Sequence, residues 1–238
     1  MIFWIIGAAL APFAAALLTA ALKALFLAAD RAGAAPFSIG FACAALAWLA
    51  ARFFPPRSGP ARLYDAAQRR IYIFGHELSH ALAAWLFGAK IFAFHVGRRS
   101  GHVDLDKSNS FIALAPYCLP VYTAAALLAW RIAAAFKPGL PSAPFLALVG
   151  LTIAFHLTKT VEYVWDLSQP DLHAAGGVVF SLSAIAAANG LIILGLAGAL
   201  FPRSVFFLAT VRSSWSLGAR FWLAAAALGG RALRSLRA

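Results

Sequence analysis

The chain has 238 residues, of which 63% are hydrophobic and only 12% are charged, and its formal net charge is +12. Soluble globular domains have about 25% charged residues, so this composition, with a mean hydropathy of +0.81, excludes an ordinary cytosolic enzyme, a secreted disulfide scaffold and a disordered protein. Uncharged runs such as 112–130 and 174–202 reach the roughly 20 residues that a helix needs to cross a bilayer. We therefore expect an all-α polytopic membrane protein.

The hydropathy pattern predicts about six transmembrane helices, at 2–29, 36–54, 71–89, 110–135, 145–165 and 174–201. Between the third and fourth spans, residues 91–105 alternate in polarity on either side of Arg99-Ser100-Gly101, which predicts a short β-hairpin. An open backbone edge cannot face lipid, so the hairpin is expected at the membrane interface or against protein. The predicted organisation is a two-span segment with a basic connector at 1–70, a membrane core at 71–201 and a basic amphipathic tail at 202–238.

The basic residues lie mostly at the ends of apolar runs, which favours anionic lipid headgroups over nucleic acid as their partner. Five arginines lie in the connector 52–70, and six lie in the tail beyond Pro202, where aromatic residues separate them. The tail pattern predicts a helix lying in the headgroup plane. Because the connector and the tail fall on the same side in the six-span count, both termini are expected in the cytoplasm, with a bacterial inner membrane as the default.

Residues His76-Glu77-Leu78-Ser79-His80 form an H-E-x-x-H sequence inside the third predicted span. Positions i and i+4 share one face of a helix, so His76 and His80 can bind one zinc ion, and Glu77 can serve as general base toward a coordinated water. A shuffled chain of this composition would contain the pattern with odds on the order of one in a thousand. An ionisable group inside a span costs about 2.5–3.5 kcal/mol and marks a functional interior. The pattern predicts a catalytic metal site.

A catalytic zinc site has three protein ligands and one open position, so one ligand is still needed. The candidates are His95, His102, Glu162, His173, and above all Asp171, Asp166 and His156. Asp171 opens the last span, where its carboxylate could instead cap the helix. The six-span count also places Asp171 on the opposite side of the membrane from the H-E-x-x-H sequence.

Several segments between about 70 and 200 resemble the site-2 protease superfamily of intramembrane zinc metalloproteases, most closely the M50B-like branch of peptidase family M50. They are Gly75-His76-Glu77-Leu78-Ser79-His80-Ala81-Leu82 with the hairpin that follows, Leu114-Ala115-Pro116-Tyr117, and Gln169-Pro170-Asp171-Leu172. The resemblance implies zinc held by His76, His80 and Asp171, Glu77 as catalytic base, and hydrolysis of peptide bonds in membrane-anchored proteins within or near the bilayer. The superfamily's usual leucine-aspartate-glycine motif is absent from this chain.

Two other functions fit the same residues. A non-catalytic zinc-binding membrane scaffold or chaperone would keep the metal without an accessible water position. A transporter would use the ionisable side chains of the spans as an ion path, but transporters usually have repeat symmetry or paired broken helices, and the sequence pattern predicts neither. The sequence carries no signal for the oligomeric state.

Overall fold

The computed structural model of the chain describes residues 1–54, 60–98 and 100–235. The parts of the predictions that concern connector residues 55–59, Arg99 in the hairpin turn and tail residues 236–238 lie outside the described residues. Within the described part the chain is mainly helical with one small antiparallel sheet, as the composition predicts.

Among the described residues, two neighbouring strands separate the helices into an N-terminal and a C-terminal series. The elements are α1 (Ile2–Arg31), α2 (Ala35–Phe53), α3 (Pro60–Leu86), β1 (Ile91–Val96), β2 (Gly101–Leu105), α4 (Ser110–Cys118), α5 (Val121–Phe136), α6 (Ser142–Val164), α7 (Pro170–Ala174), α8 (Val178–Leu200) and α9 (Phe207–Ser235).

Four helices of the described chain, α1, α2, α6 and α8, are long and apolar enough to cross a membrane. The pair α4 and α5 adds a fifth crossing if it forms one span, but it is bent by 68°, where Pro120 removes a backbone donor. The prediction of six spans is therefore wrong in number. The predicted span that is not among these candidates is α3, which begins about ten residues before the predicted span and carries charges in its first half and the H-E-x-x-H residues in its second.

The chain divides into two compact units, and the first contains residues 1–32 together with those from 176 onward. In this unit α8 and α9 both pack against α1. The indole of Trp222 donates to the carbonyl of Ala9 at 3.1 Å, and Trp215 contacts Phe13 edge to face. The tail is thus helical and rich in aromatic contacts, while its position in the headgroup plane stays a prediction.

The second unit contains residues 33–175. Its largest interface joins α2 and α6, where a side chain at Gly150 would clash with the carbonyl oxygen of Phe37. Small residues at such contacts let membrane helices approach closely. In the same unit, α3 packs against α4 and the hairpin. The predicted division at residues 70 and 201 rests on composition alone and stays a prediction.

The β-hairpin predicted from the alternation is confirmed. The strands β1 and β2 pair antiparallel, with His95 opposite His102 and Val96 opposite Gly101. The turn is closed by a hydrogen bond from the Gly97 amide to the Ser100 carbonyl at 2.8 Å. The hairpin lies against α3, and this contact brings β2 to the face that carries the H-E-x-x-H residues.

Candidate metal centre

The two histidines of the H-E-x-x-H sequence lie one turn apart on α3, with ring centroids 4.9 Å from each other. Nδ1 of His80 donates to the carbonyl of Ile112 on α4 at 2.8 Å. This bond leaves the lone pair on Nε2, the nitrogen that can bind a metal. Nδ1 of His76 lies 3.1 Å from the hydroxyl of Tyr72, one turn earlier. Both rings are thus oriented through Nδ1, as is usual for histidines that ligate metals.

Asp171 lies directly opposite these two rings. Its Oδ2 atom is 3.4 Å from Nε2 of His76 and 3.6 Å from Nε2 of His80. The short helix α7 is held in place by α4, because the hydroxyl of Tyr117 donates to Oδ2 of Asp171 at 3.1 Å and Ser110 donates to the carbonyl of Ala175 at 2.6 Å. The expectation that Asp171 lies on the opposite side from the histidines is therefore wrong.

The three side chains fit a zinc ion. Their ligand atoms all lie within 4.8 Å of one another. Zinc bonds of about 2.0–2.1 Å in a tetrahedron put neighbouring ligand atoms about 3.3–3.4 Å apart, close to the distances from Asp171 to the two rings. Two imidazole nitrogens and one carboxylate oxygen are also a donor set found in catalytic zinc sites, where a fourth position stays open.

The carboxylate of Asp171 has a pKa below its ordinary value. Burial raises the pKa of this carboxyl, but the imidazoles of His76 and His80 beside it lower the pKa more strongly, so that the net shift is downward. Asp171 is therefore held in the ionised form that a metal ligand requires.

Glu77 lies beside the three candidate ligands on α3, and only 6% of the residue is exposed. The backbone of β2 covers it, since a side chain added at Gly101 would stand 2.6 Å from Cγ and 2.8 Å from Oε1 of Glu77. Glycine at position 101 therefore leaves the space that the carboxylate occupies. The carboxylate is held between α3 and the hairpin.

A small cavity adjoins the site between α3, the α4–α5 bend and α6. It offers about 20 Å³ to the centre of a water molecule, which is room for about one water. His76 and Tyr72 line one wall, and His156 and Tyr122 line others. His156 is thus near the site, but it does not belong to the group of three that could hold a metal.

The two other carboxylates considered as the third ligand form hydrogen bonds away from the two histidines. Asp166 accepts bonds from the backbone amide and hydroxyl of Ser168, which lower its pKa. Glu162 accepts bonds from the Trp48 indole and from Lys159.

The three other histidines are also placed elsewhere. His95 and His102 stack on each other across the hairpin, with centroids 5.3 Å apart. Nε2 of His173 lies 3.1 Å from the carbonyl of Leu167. Among the described residues, the group of His, Cys, Asp and Glu side chains close enough to share a metal is His76, His80 and Asp171.

Sequence reasoning missed three residues around this group: Tyr72, Gly101 and Tyr117. The contact of Tyr72 with His76 could have been predicted from the sequence, because Tyr72 precedes His76 by one helical turn and so shares its face of the helix. Tyr117 lies in the Leu114-Ala115-Pro116-Tyr117 segment that carries part of the resemblance, but its bond to Asp171 depends on the fold. Gly101 reads only as a turn residue, and its contact with Glu77 depends on how the hairpin docks.

Comparison of the chain with protein-family models, with curated proteins and with solved structures gave no match.

Proposed function

We propose that this protein is an intramembrane zinc metalloprotease of the site-2 protease type. The observation that carries the proposal is the convergence of His76, His80 and Asp171 beside Glu77. Oδ2 of Asp171 lies 3.4 Å from Nε2 of His76 and 3.6 Å from Nε2 of His80. A buried polar cluster that served only to join helices would need neither the i, i+4 spacing nor a donor set suited to zinc.

Each residue has a distinct role in this proposal. His76, His80 and Asp171 would hold the ion, while Ile112 and Tyr117 keep one imidazole and the carboxylate in orientation. Zinc, when bound, supplies a Lewis acid that lowers the pKa of water toward about 7 and polarises a peptide carbonyl. The carboxylate of Glu77 takes the proton from the attacking water and passes it to the departing amine nitrogen, as a general base and then a general acid.

The membrane character of the chain favours membrane-anchored proteins as substrates. The candidate spans α2 and α6 belong to the same compact unit as the site, which fits a substrate anchored in the same membrane. The excess of basic residues in the connector and the tail supports cytoplasmic termini, and a bacterial inner membrane is the proposed location.

The decisive experiment compares the wild-type chain with Glu77→Gln. Both are purified in detergent and reconstituted with a mixture of bacterial membrane proteins, and new N-termini are identified by mass spectrometry. We expect wild type to produce new termini and Glu77→Gln to lose them, since the amide cannot accept a proton. Both proteins should retain about one zinc per chain, because Glu77 is not among the three proposed ligands.

A His76→Ala variant and a chelator arm serve as controls, and both should abolish metal and cleavage together. Cleavage that persists in Glu77→Gln and resists inhibitors of serine and cysteine proteases would contradict the proposed mechanism.

The burial of Glu77 under the hairpin favours one alternative, a zinc-binding scaffold that does not catalyse. In that case wild type would hold one zinc per chain and yield no new termini, and zinc removal would lower its melting temperature. The same reconstitution therefore separates the two functions.

A further inference from the structure

A second pocket of this unit is lined by arginines and lies away from the candidate metal centre. Arg62, Arg69 and Arg70 come from the first half of α3, and Arg98 comes from the turn between β1 and β2. Together they surround a volume of about 250 Å³. Two separate elements thus bring four guanidinium groups to one space.

The charge of this pocket is poorly balanced by the protein itself. Asp65 is the one carboxylate among the lining residues, and its Oδ2 pairs with Arg69 at 3.1 Å. Arg62, Arg70 and Arg98 have no ion pair among the described residues. Like charges brought together in this way repel each other unless an anion lies between them, so the pocket attracts anions.

The guanidinium group favours phosphate as that anion. Its planar fork of N–H donors matches phosphate oxygens in pairs, which gives both strength and orientation. The volume is below the roughly 300–1,000 Å³ of pockets for drug-sized ligands, so it suits a headgroup rather than a large cofactor.

The surroundings favour a lipid over a soluble phosphate. On α3, Phe74 lies one turn after Arg70 and so shares its face of the helix. The ring of Phe74 packs edge to face on Phe94 of β1, the strand that leads to Arg98, and the two residues are 43% and 42% exposed. Apolar side chains next to a cationic pocket allow acyl chains and a phosphate to be bound together. Basic pockets on the cytoplasmic side of membrane helices commonly bind anionic headgroups.

We infer that the pocket of Arg62, Arg69, Arg70 and Arg98 binds the phosphate of an anionic phospholipid headgroup. This site does not depend on a metal at His76, His80 and Asp171. Because Arg62, Arg69 and Arg70 stand on the same helix as the H-E-x-x-H residues and Arg98 stands on the hairpin turn, a bound lipid would hold α3 and the turn to the membrane surface.

The test measures binding of dihexanoyl phosphatidylglycerol to the delipidated full-length chain by native mass spectrometry, with dihexanoyl phosphatidylcholine as the zwitterionic comparison. The triple variant Arg62→Gln, Arg70→Gln, Arg98→Gln should bind phosphatidylglycerol on the order of a hundredfold more weakly, at about fivefold per arginine. The matched control Arg31→Gln, Arg131→Gln, Lys137→Gln removes the same charge outside the pocket and outside the basic tail, and it should bind as wild type does.

A variant that gains binding separates loss of the site from loss of the fold. Asp65→Asn removes the one competing carboxylate and should strengthen phosphatidylglycerol binding about fivefold, a result that unfolding cannot produce. The surface pair that it breaks contributes little to stability.

Several results would overturn the inference. The first is an equal loss of phosphatidylglycerol affinity in the pocket variant and in the control variant. The second is equal binding of phosphatidylcholine and phosphatidylglycerol by wild type, and the third is unchanged phosphatidylglycerol affinity in Asp65→Asn. Displacement of phosphatidylglycerol by equimolar inorganic phosphate would overturn the lipid as the source, and tighter binding of hexaglutamate would assign the pocket to an acidic peptide instead.

Discussion

Tyr117 is the side chain that ties α4 to Asp171. Its ring is fully buried, and its hydroxyl donates to the same Oδ2 atom that faces both histidines. Outer hydrogen bonds of this kind orient a ligand, and their loss typically lowers metal affinity 10–100-fold.

Tyr117→Phe removes the hydroxyl while keeping the ring. We expect its zinc affinity, measured by competition with a chromophoric chelator, to fall about 10–100-fold. Tyr64→Phe is the matched control, because that hydroxyl is exposed and binds only Gln68 among the described contacts. An unchanged affinity in Tyr117→Phe would exclude the positioning role.

Asp171 and Asp166 are five residues apart and allow a direct comparison of two carboxylates. Asp171 faces the two imidazoles, whereas Asp166 caps the turn that follows α6. Asp171→Ala should lose the zinc that wild type binds at about one per chain, and Asp166→Ala should keep it, as measured by elemental analysis of the purified proteins. Zinc retained in Asp171→Ala would remove this residue from the ligand set.

At the scale of elements, the hairpin controls the position of Glu77. Gly101→Ala would place a methyl group 2.6 Å from Cγ of Glu77 and 2.8 Å from the carbonyl oxygen of His95. Since backbone surrounds this position on one side, Glu77 or the whole hairpin has to move, at a cost of about 1–3 kcal/mol.

We expect Gly101→Ala to keep its zinc and to lose cleavage by about a hundredfold, the effect of displacing a catalytic group by about 1 Å. The measurement is the yield of new N-termini at matched zinc content. Gly195→Ala in α8 is the control, because a side chain there meets nothing within 4 Å. Full activity in Gly101→Ala would show that the hairpin contact does not position the base.

At the scale of the whole molecule, the number of crossings and the side of the termini are linked. Two termini on the same side require an even number of spans. Because α1, α2, α6 and α8 supply four and α3 is not a candidate span, termini on the same side require that the bent pair α4–α5 does not cross as one span.

The excess of basic residues predicts cytoplasmic termini. A C-terminal fusion to green fluorescent protein should therefore fluoresce in bacterial cells, and a C-terminal fusion to alkaline phosphatase should be inactive. An active phosphatase fusion would contradict the predicted orientation and require an odd number of crossings if the N-terminus is cytoplasmic.

The sequence alone was sufficient for features that depend on local patterns. Long uncharged runs predict α1, α2, α6 and α8, because the cost of burying charge in lipid dominates all other terms. Alternation predicts the hairpin, and the i, i+4 spacing places His76 and His80 on one face of a helix. These features require no knowledge of distant contacts.

The tertiary structure decided what depends on distant residues. Asp171 stands 91 residues after His80, and it meets the histidines because Tyr117 and Ser110 of α4 hold α7 beside them. A count of spans assumes straight helices and therefore put Asp171 on the wrong side. The docking of the hairpin on α3 likewise produces the contact of Gly101 with Glu77 and the pocket of four arginines. The periodicity of a helix or strand sequence predicts that element alone and does not predict how two elements pack.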